Sequence, residues 1–224
     1  MIITLDGPAG SGKSTLAQLL AIKLGYFYSN SGYLYRSLAY ILVHEFGYDE
    51  KLLAAPLVDH VDLILTSDNF VYHYQGGAAR VIYKGNDITH HLKASLISHY
   101  ASIVSAHQDV RHAVAKLQRH FGTMYDLVTD GRDCGTEIYP HADFKFYITA
   151  TPEIRAQRML ADCIKKNQCM NFDDALRLTL QRDARDMQRM ISPLKKADDA
   201  IEIDTSDRSI QELVDLMLAI ILNS

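Results

Sequence analysis

No run of apolar residues in this 224-residue chain is long enough to cross a bilayer; the longest, Leu213 to Leu222, is broken by Asp215 and falls short of roughly 20 residues. There is no excess of basic charge either. The formal net charge is −4 and the isoelectric point about 6.2, which removes a footprint for a nucleic-acid backbone. Cysteine is sparse: Cys134, Cys163 and Cys169 form no C-x-x-C and no metal spacing, and their odd number suits a reducing compartment. No charged leader precedes the first strand pattern, so no signal peptide is expected and the expected location is cytoplasmic. Internal repeats and low-complexity tracts are missing as well. With 48% apolar and 22% charged residues, composition is that of a globular protein and excludes disorder.

Five short β-rich runs are present: Ile2–Asp6, Tyr26–Asn30, Asp126–Asp130, Phe144–Ala150 and Ala200–Asp204. Helical patterns fall between most of them, which predicts a parallel sheet covered on both faces, an α/β fold. Leu16, Leu19, Leu20 and Leu24 recur at helical spacing, with Gly25 as the left-handed stop. Thr151-Pro152-Glu153 opens a helix with a cap, a proline and a first-turn acid. Asn171 and Asp174 open the next, expected to run through Arg189 until Pro193, and Ser209 with Glu212 has the spacing of a capping box. Between helical patterns at about 33–46 and 94–121, Val71–Tyr74 and Arg80–Tyr83 flank Gly76-Gly77 as antiparallel strands. Residues 31–121 therefore read as a module inserted between sheet strands, dividing the chain into a core at 1–30 and 122–150, the insert, a segment at 151–190 and a last core strand and helix at 191–224.

The chemistry begins at Gly7-Pro8-Ala9-Gly10-Ser11-Gly12-Lys13-Ser14-Thr15, which fits G-x-x-x-x-G-K-[ST] after a strand and before a helix. Glycines let successive N–H groups turn toward phosphate oxygens, and the helix adds its positive end. Lys13 is expected at the β and γ phosphates and Ser14 at Mg²⁺, the expected cofactor of ATP. Asp130, at the end of a strand, is a candidate to hold that metal through water.

Arginines mark the second ligand. Arg132 follows the Asp130 strand, Arg155 and Arg158 lie three apart, and Arg182, Arg185, Asp186 and Arg189 fall on one side of a helix. Three same-side arginines with one acid leave positive charge over, and arginine grips phosphate bidentately. No H-R-D loop and no catalytic base can be picked out. An alcohol acceptor needs a base, whereas a phosphate monoester is already largely dianionic at pH 7. A kinase acting on a phosphorylated acceptor fits best.

The order and spacing of Gly7–Thr15, Asn30-Ser31-Gly32-Tyr33-Leu34-Tyr35-Arg36, Asp130-Gly131-Arg132-Asp133-Cys134-Gly135-Thr136 and Arg182–Arg189 with Ser192-Pro193-Leu194 resemble bacterial cytidylate kinases nearly end to end. That resemblance implies a P-loop core with a five-stranded parallel sheet, an insert carrying a small antiparallel sheet that binds the monophosphate, and a short helical lid. It implies transfer from ATP to CMP or dCMP, with no nucleic-acid polymer or membrane as partner and a monomer as the working form. By position, Ser31, Ser102, Arg111 and Asp133 would face the cytosine. Arg36, Arg132, Arg182 and Arg189 would hold the acceptor phosphate, and Asp186, steered by Arg182, the ribose. Arg155 and Arg158 would close over ATP. Departures from the family pattern fall at Asn30, Tyr33, Met187 and Lys195-Lys196. Two alternatives stay open at this point: a P-loop kinase of the shikimate or gluconate type, and a nucleotide-binding regulatory module without catalysis.

Three features read as bland. The ten histidines, including His90-His91 and His107 with His112, lack helical metal spacing. Tyr26, Tyr28, Tyr72, Tyr74, Tyr83 and Tyr147 lie on strand patterns, where aromatics pack. Cys134 is expected to be filler beside the site rather than a nucleophile.

Overall fold

A computed structural model describes residues 1–66, 68–165 and 169–223; residues 166–168 of the expected lid segment lie outside it. The chain divides into two compact units, residues 1–25 with 128–224 and residues 26–127. A five-stranded parallel sheet has the order β2-β6-β1-β7-β8, formed by β1 (Ile2–Asp6), β2 (Phe27–Asn30), β6 (Leu127–Gly131), β7 (Phe144–Thr149) and β8 (Ile201–Asp204). A separate three-stranded sheet is antiparallel and runs β3 (Phe70–Gln75), β4 (Ala78–Tyr83), β5 (Asn86–Asp87).

In the first unit β1 pairs with β7 in the register Leu5↔Phe146. Helices α1 (Lys13–Leu24) and α9 (Ile210–Leu222) pack on each other, and α7 (Pro152–Lys165) packs on α8 (Phe172–Gln188). Ile3, Leu5, Leu16, Leu20, Val128, Phe146 and Ile148 are buried, each worth roughly 1.5–3 kcal/mol against exposure. The expected end signals do the work assigned to them. Gly25 closes α1 at φ 71°, Asn171 accepts from the Asp174 N–H at 2.8 Å, and Ser209 with Glu212 forms the full capping box of α9.

One helix end differs from its expectation. α8 stops at Gln188, and Arg189 leaves it in an extended conformation, φ −61° and ψ 140°. Pro193 cannot donate, Ser192 takes a positive φ of 47°, and the chain turns back so that the Leu194 N–H reaches the Asp186 carbonyl at 2.8 Å. Capture of the last helical carbonyls from outside ends the helix sooner than the proline alone would.

The second unit holds α2 (Ser31–Phe46), α3 (Glu50–Leu53), α4 (Val58–Thr66), α5 (Ser95–Val104) and α6 (Gln108–Met124) beside its antiparallel sheet. The single helical pattern expected at about 94–121 is two helices. His107 takes extended angles, φ −81° and ψ 133°, and Arg111 Nη1 donates to the Ser105 carbonyl at 3.1 Å across the break. Of the tyrosines on strand patterns, Tyr28 and Tyr72 are buried and Tyr74 packs against Phe27 and Tyr28, whereas Tyr26 lies just before β2 and Tyr83 and Tyr147 are only half-buried. Phe27 stacks on Tyr125 with ring centroids 4.4 Å apart and tilts against Tyr72 at 5.9 Å.

Candidate functional site

β1 leads straight into the phosphate loop, and the approach is close. A Cβ on Gly7 would sit 2.0 Å from the Ile148 carbonyl oxygen of β7, so only glycine fits where the loop begins. Lys13 is buried at the start of α1, with its Nζ on the Pro8 carbonyl at 2.9 Å. Burial and then the positive charges of Arg132 and Arg182 push its ammonium well below the ordinary lysine value, while Asp130 and Asp186 oppose them. Two arginines and two aspartates thus surround the lysine at the loop.

Ser14 Oγ donates to Asp130 Oδ2 at 2.6 Å, joining the loop to the end of β6. A hydroxyl and a buried carboxylate are hard oxygen donors, the set that suits Mg²⁺ held chiefly by phosphates and water. Among the described residues no group of three or more His, Cys, Asp or Glu could hold a metal by itself. That includes the paired rings of His90 and His91, which lie 3.7 Å apart.

After β6 the chain makes a five-residue π-helical turn, Cys134–Ile138. Asp6 builds it by accepting the N–H groups of Cys134 at 2.9 Å and Gly135 at 2.7 Å. A Cβ on Gly135 would lie 2.8 Å from Thr4 Oγ1, so this turn too depends on a glycine. Burial raises the Asp6 carboxyl to about 6 against the pull of those two amides. The pattern of the sequence did not single out Asp6; the only signal was an acid at the end of a strand that otherwise reads as continuously apolar.

The turn sets Arg132 and Asp133 against the end of α8. Arg132 Nε donates to Asp186 Oδ2 at 2.7 Å, and Arg189 Nη2 lies 3.5 Å from Asp133 Oδ1. Burial pushes the Asp186 carboxyl up, but the charge and hydrogen bond of Arg132, with Arg182 and Arg189, outweigh it and leave it below the ordinary value. Arg132, Arg182, Arg189, Asp133 and Asp186 therefore form one charged group within the first unit, at the loop that carries Lys13. Cys134 is buried, and burial followed by the negative charges of Asp6 and Asp133 pushes its thiol well up, the state of an inert cysteine.

Arg155 and Arg158 are placed against the loop. Arg155 is buried and gives Nη1 and Nη2 to Asp183 at 2.8 and 2.7 Å, Nε to the Ala150 carbonyl at 3.0 Å and Nη1 to the Ala9 carbonyl at 3.3 Å. Arg158 bonds the Gly10 carbonyl and both oxygens of Thr205. Asp183 belongs to the Arg182–Arg189 segment but carried no expected role there, and Thr205 did not stand out, since a threonine after a strand is commonplace.

The second unit carries the remaining candidates. Ser31 and Arg36 lie on α2, Ser102 on α5 and Arg111 on α6. The Arg111 guanidinium is buried over the Tyr35 ring at 5.6 Å, and that of Arg36 lies 5.9 Å from the Tyr33 ring. Asn30 caps α2, accepting from the Tyr33 N–H at 2.9 Å.

Among solved structures, one of an uncharacterised protein from Eubacterium ventriosum has a TM-score of 0.53 at 13% identity, covering 100% of this chain and 99% of that one, a likeness of fold alone. Sequence relatives are nearer. The cytidylate kinase of Shewanella loihica is 38% identical over 97% of this chain and 93% of its own length, and that of Bacillus subtilis 36% over 96% and 94%. The family model described as cytidylate kinase matches residues 3–223, and with the loop, the Asp130–Ser14 pair and the arginine group in place, the chain belongs to the cytidylate kinase family.

Proposed function

We propose that this protein transfers the γ-phosphoryl group of ATP to the phosphate of CMP or dCMP, releasing ADP and CDP or dCDP. The observation that carries the reading is the gathering of Arg132, Arg182 and Arg189, from the turn after β6 and the end of α8, at the loop that holds Lys13. Such a group of guanidinium donors stabilises two polyanions brought together, which is the main obstacle to this reaction. No general base is required, because the acceptor oxygen belongs to a phosphate that is already ionised.

The residues divide by task. The amides of Gly7–Thr15 and the Lys13 ammonium bind the ATP phosphates, and Arg155 and Arg158 serve the same ligand. Ser14 and Asp130 would hold Mg²⁺, which when bound neutralises charge on the phosphates. Arg36, Arg132, Arg182 and Arg189 hold the acceptor phosphate, and Asp186 the ribose. Ser31, Ser102, Arg111 and Asp133 read the cytosine: its amino group needs an acceptor such as Asp133, and its carbonyl and ring nitrogen need donors. In this reading residues 31–121 are the monophosphate-binding insert, residues 151–190 the lid region with the arginine helix, and residues 1–30, 122–150 and 191–224 the core. The protein works as a cytoplasmic monomer. No helix among the described residues is long and apolar enough to cross a membrane.

The test is ADP release from ATP and Mg²⁺ with CMP, dCMP, UMP, AMP, shikimate or gluconate as acceptor. CMP and dCMP should be turned over, and Lys13→Ala should lower that rate by at least about a hundredfold. Turnover of shikimate or gluconate in preference to nucleotides would overturn the assignment, and so would ATP binding with no acceptor used.

A further inference from the structure

The successive carbonyls of the phosphate loop from Pro8 to Gly12 each accept a hydrogen bond. Lys13 Nζ takes the Pro8 carbonyl at 2.9 Å, Arg155 Nη1 the Ala9 carbonyl at 3.3 Å, and Arg158 Nη1 the Gly10 carbonyl at 3.1 Å. Thr205 Oγ1 donates to the Ser11 carbonyl at 2.8 Å, and the Gly12 carbonyl receives the N–H groups of Thr15 and Leu16, both at 3.1 Å. The central three donors form a single assembly. Thr205 Oγ1 accepts from Arg158 Nη1 at 2.9 Å while Arg158 Nη2 donates to the Thr205 carbonyl at 2.8 Å, and Arg155 is locked by both oxygens of Asp183. Thr205 itself is buried, and its N–H is spent on the Thr149 carbonyl at 2.9 Å.

In a planar trans peptide, the carbonyl of one residue and the N–H of the next point in opposite directions. Drawing the carbonyls of Ala9 and Gly10 toward Arg155 and Arg158 of α7, and that of Ser11 toward Thr205 after β8, therefore turns the N–H groups of Gly10, Ser11 and Gly12 the other way. Gly10 and Gly12 sit close enough for this to be a packed contact. Their Cβ positions would lie 3.2 Å from Arg155 Cβ and 3.7 Å from Arg158 Nη1.

We propose that Thr205, together with Arg155 and Arg158, is a positioning residue for ATP: the three side chains fix the outward carbonyls of the phosphate loop and so aim its amides at the phosphates. The proposal rests on the reading that this loop binds ATP. It gives the two arginines a role through the loop's backbone, and it assigns Thr205, at the end of the last strand, a part in nucleotide affinity.

Thr205→Val keeps the shape and removes the hydroxyl, leaving the Ser11 carbonyl and one Arg158 donor without their partner. Calorimetry with ATP should show a Kd raised about five- to tenfold, the loss expected of one or two hydrogen bonds. KM for ATP should rise in parallel while KM for CMP stays within about twofold, and Thr205→Ser should restore ATP affinity. Arg158→Met, which frees the Gly10 carbonyl, should raise the ATP Kd likewise and covers the case in which Thr205→Val fails to fold. Unchanged ATP affinity in the folded variants, or equal losses for ATP and CMP, would overturn the proposal. Because ATP binding is measured directly, a protein that binds ATP but phosphorylates no CMP would sink the acceptor assignment and leave this test standing.

Discussion

Removing Asp183 exposes the weight carried by the clamp behind the phosphate loop. Its carboxylate holds Arg155 through two bonds of 2.8 and 2.7 Å, with side-chain exposures of 5% for Arg155 and 12% for Asp183. In Asp183→Ala the guanidinium keeps only two backbone acceptors and carries its charge unpaired inside the protein. Breaking a buried pair in this way costs roughly 3–5 kcal/mol. For a chain of this size each kcal/mol moves Tm by about 2–4 °C, so the variant should melt about 6–20 °C below the wild type. Removing both charges is the control. Arg155→Met with Asp183→Leu should recover most of that Tm, since a buried pair replaced by apolar groups is often neutral in stability. The double variant should nevertheless bind ATP more weakly, because the Ala9 carbonyl has lost its donor. Thermal melting by circular dichroism and ATP titration on the same samples separate the two effects. A single variant melting within about 2 °C of the wild type would refute the reasoning.

Asp6 should give the protein an inverted response to mild acid. Its carboxyl, about 6 in the folded chain against 3.8 for an ordinary aspartate, binds more proton in the folded state between those values. Stability should therefore rise as pH falls from 7 toward 5, by roughly 1 to 1.5 kcal/mol, approach about 3 kcal/mol only below about pH 4, and be lost as pH rises through 6. Asp6→Asn should abolish that dependence, and equal slopes of Tm against pH in the two proteins would exclude it. For the thiols, alkylation with iodoacetamide at pH 7.5 should label exposed Cys169 first, half-buried Cys163 next, and buried Cys134 only on unfolding. Mass mapping that found Cys134 modified in the native protein would contradict its assignment as inert packing.

The parts of the site that depend on local sequence were legible. The glycine spacing of the phosphate loop, Asp130 at a strand end, and helix caps at Asn171 and Ser209 can each be read within a few residues. The parts that depend on distant partners were not. The pattern of Arg182, Arg185, Asp186 and Arg189 gives a common helix side, but which acid meets which arginine is settled by the turn after β6, where Arg132 takes Asp186 and Arg189 approaches Asp133. Asp183 is a step off that side and pairs instead with Arg155 of the neighbouring helix. Periodicity likewise joined α5 to α6, since the break at 105–107 is fixed by a side-chain bond from Arg111 and not by glycine or proline. The end of α8 shows the same limit: Pro193 announces a stop, whereas the Leu194 N–H decides where it falls.

The positions that depart from the family pattern bear on whether catalysis has been lost, and the structure accommodates them one by one. Asn30 keeps the capping acceptor toward Tyr33, and its Nδ2 donates to the Tyr28 hydroxyl at 2.9 Å. Tyr33 lies against the Arg36 guanidinium, where a ring face stabilises a cation without consuming its donors. Met187 is half exposed on α8 and removes no partner from Arg132, Asp133 or Asp186. Lys196 pairs with Glu202 at 2.9 Å on the surface, a contact worth little either way. A module that had shed catalysis would have no need to retain a crowded set of cations, yet Lys13 still stands under the charges of Arg132 and Arg182. Holding Lys13, Arg132 and Arg182 together costs free energy, which Asp130 and Asp186 offset in part in the empty protein and which anionic ligands at the loop and the arginine group would offset further.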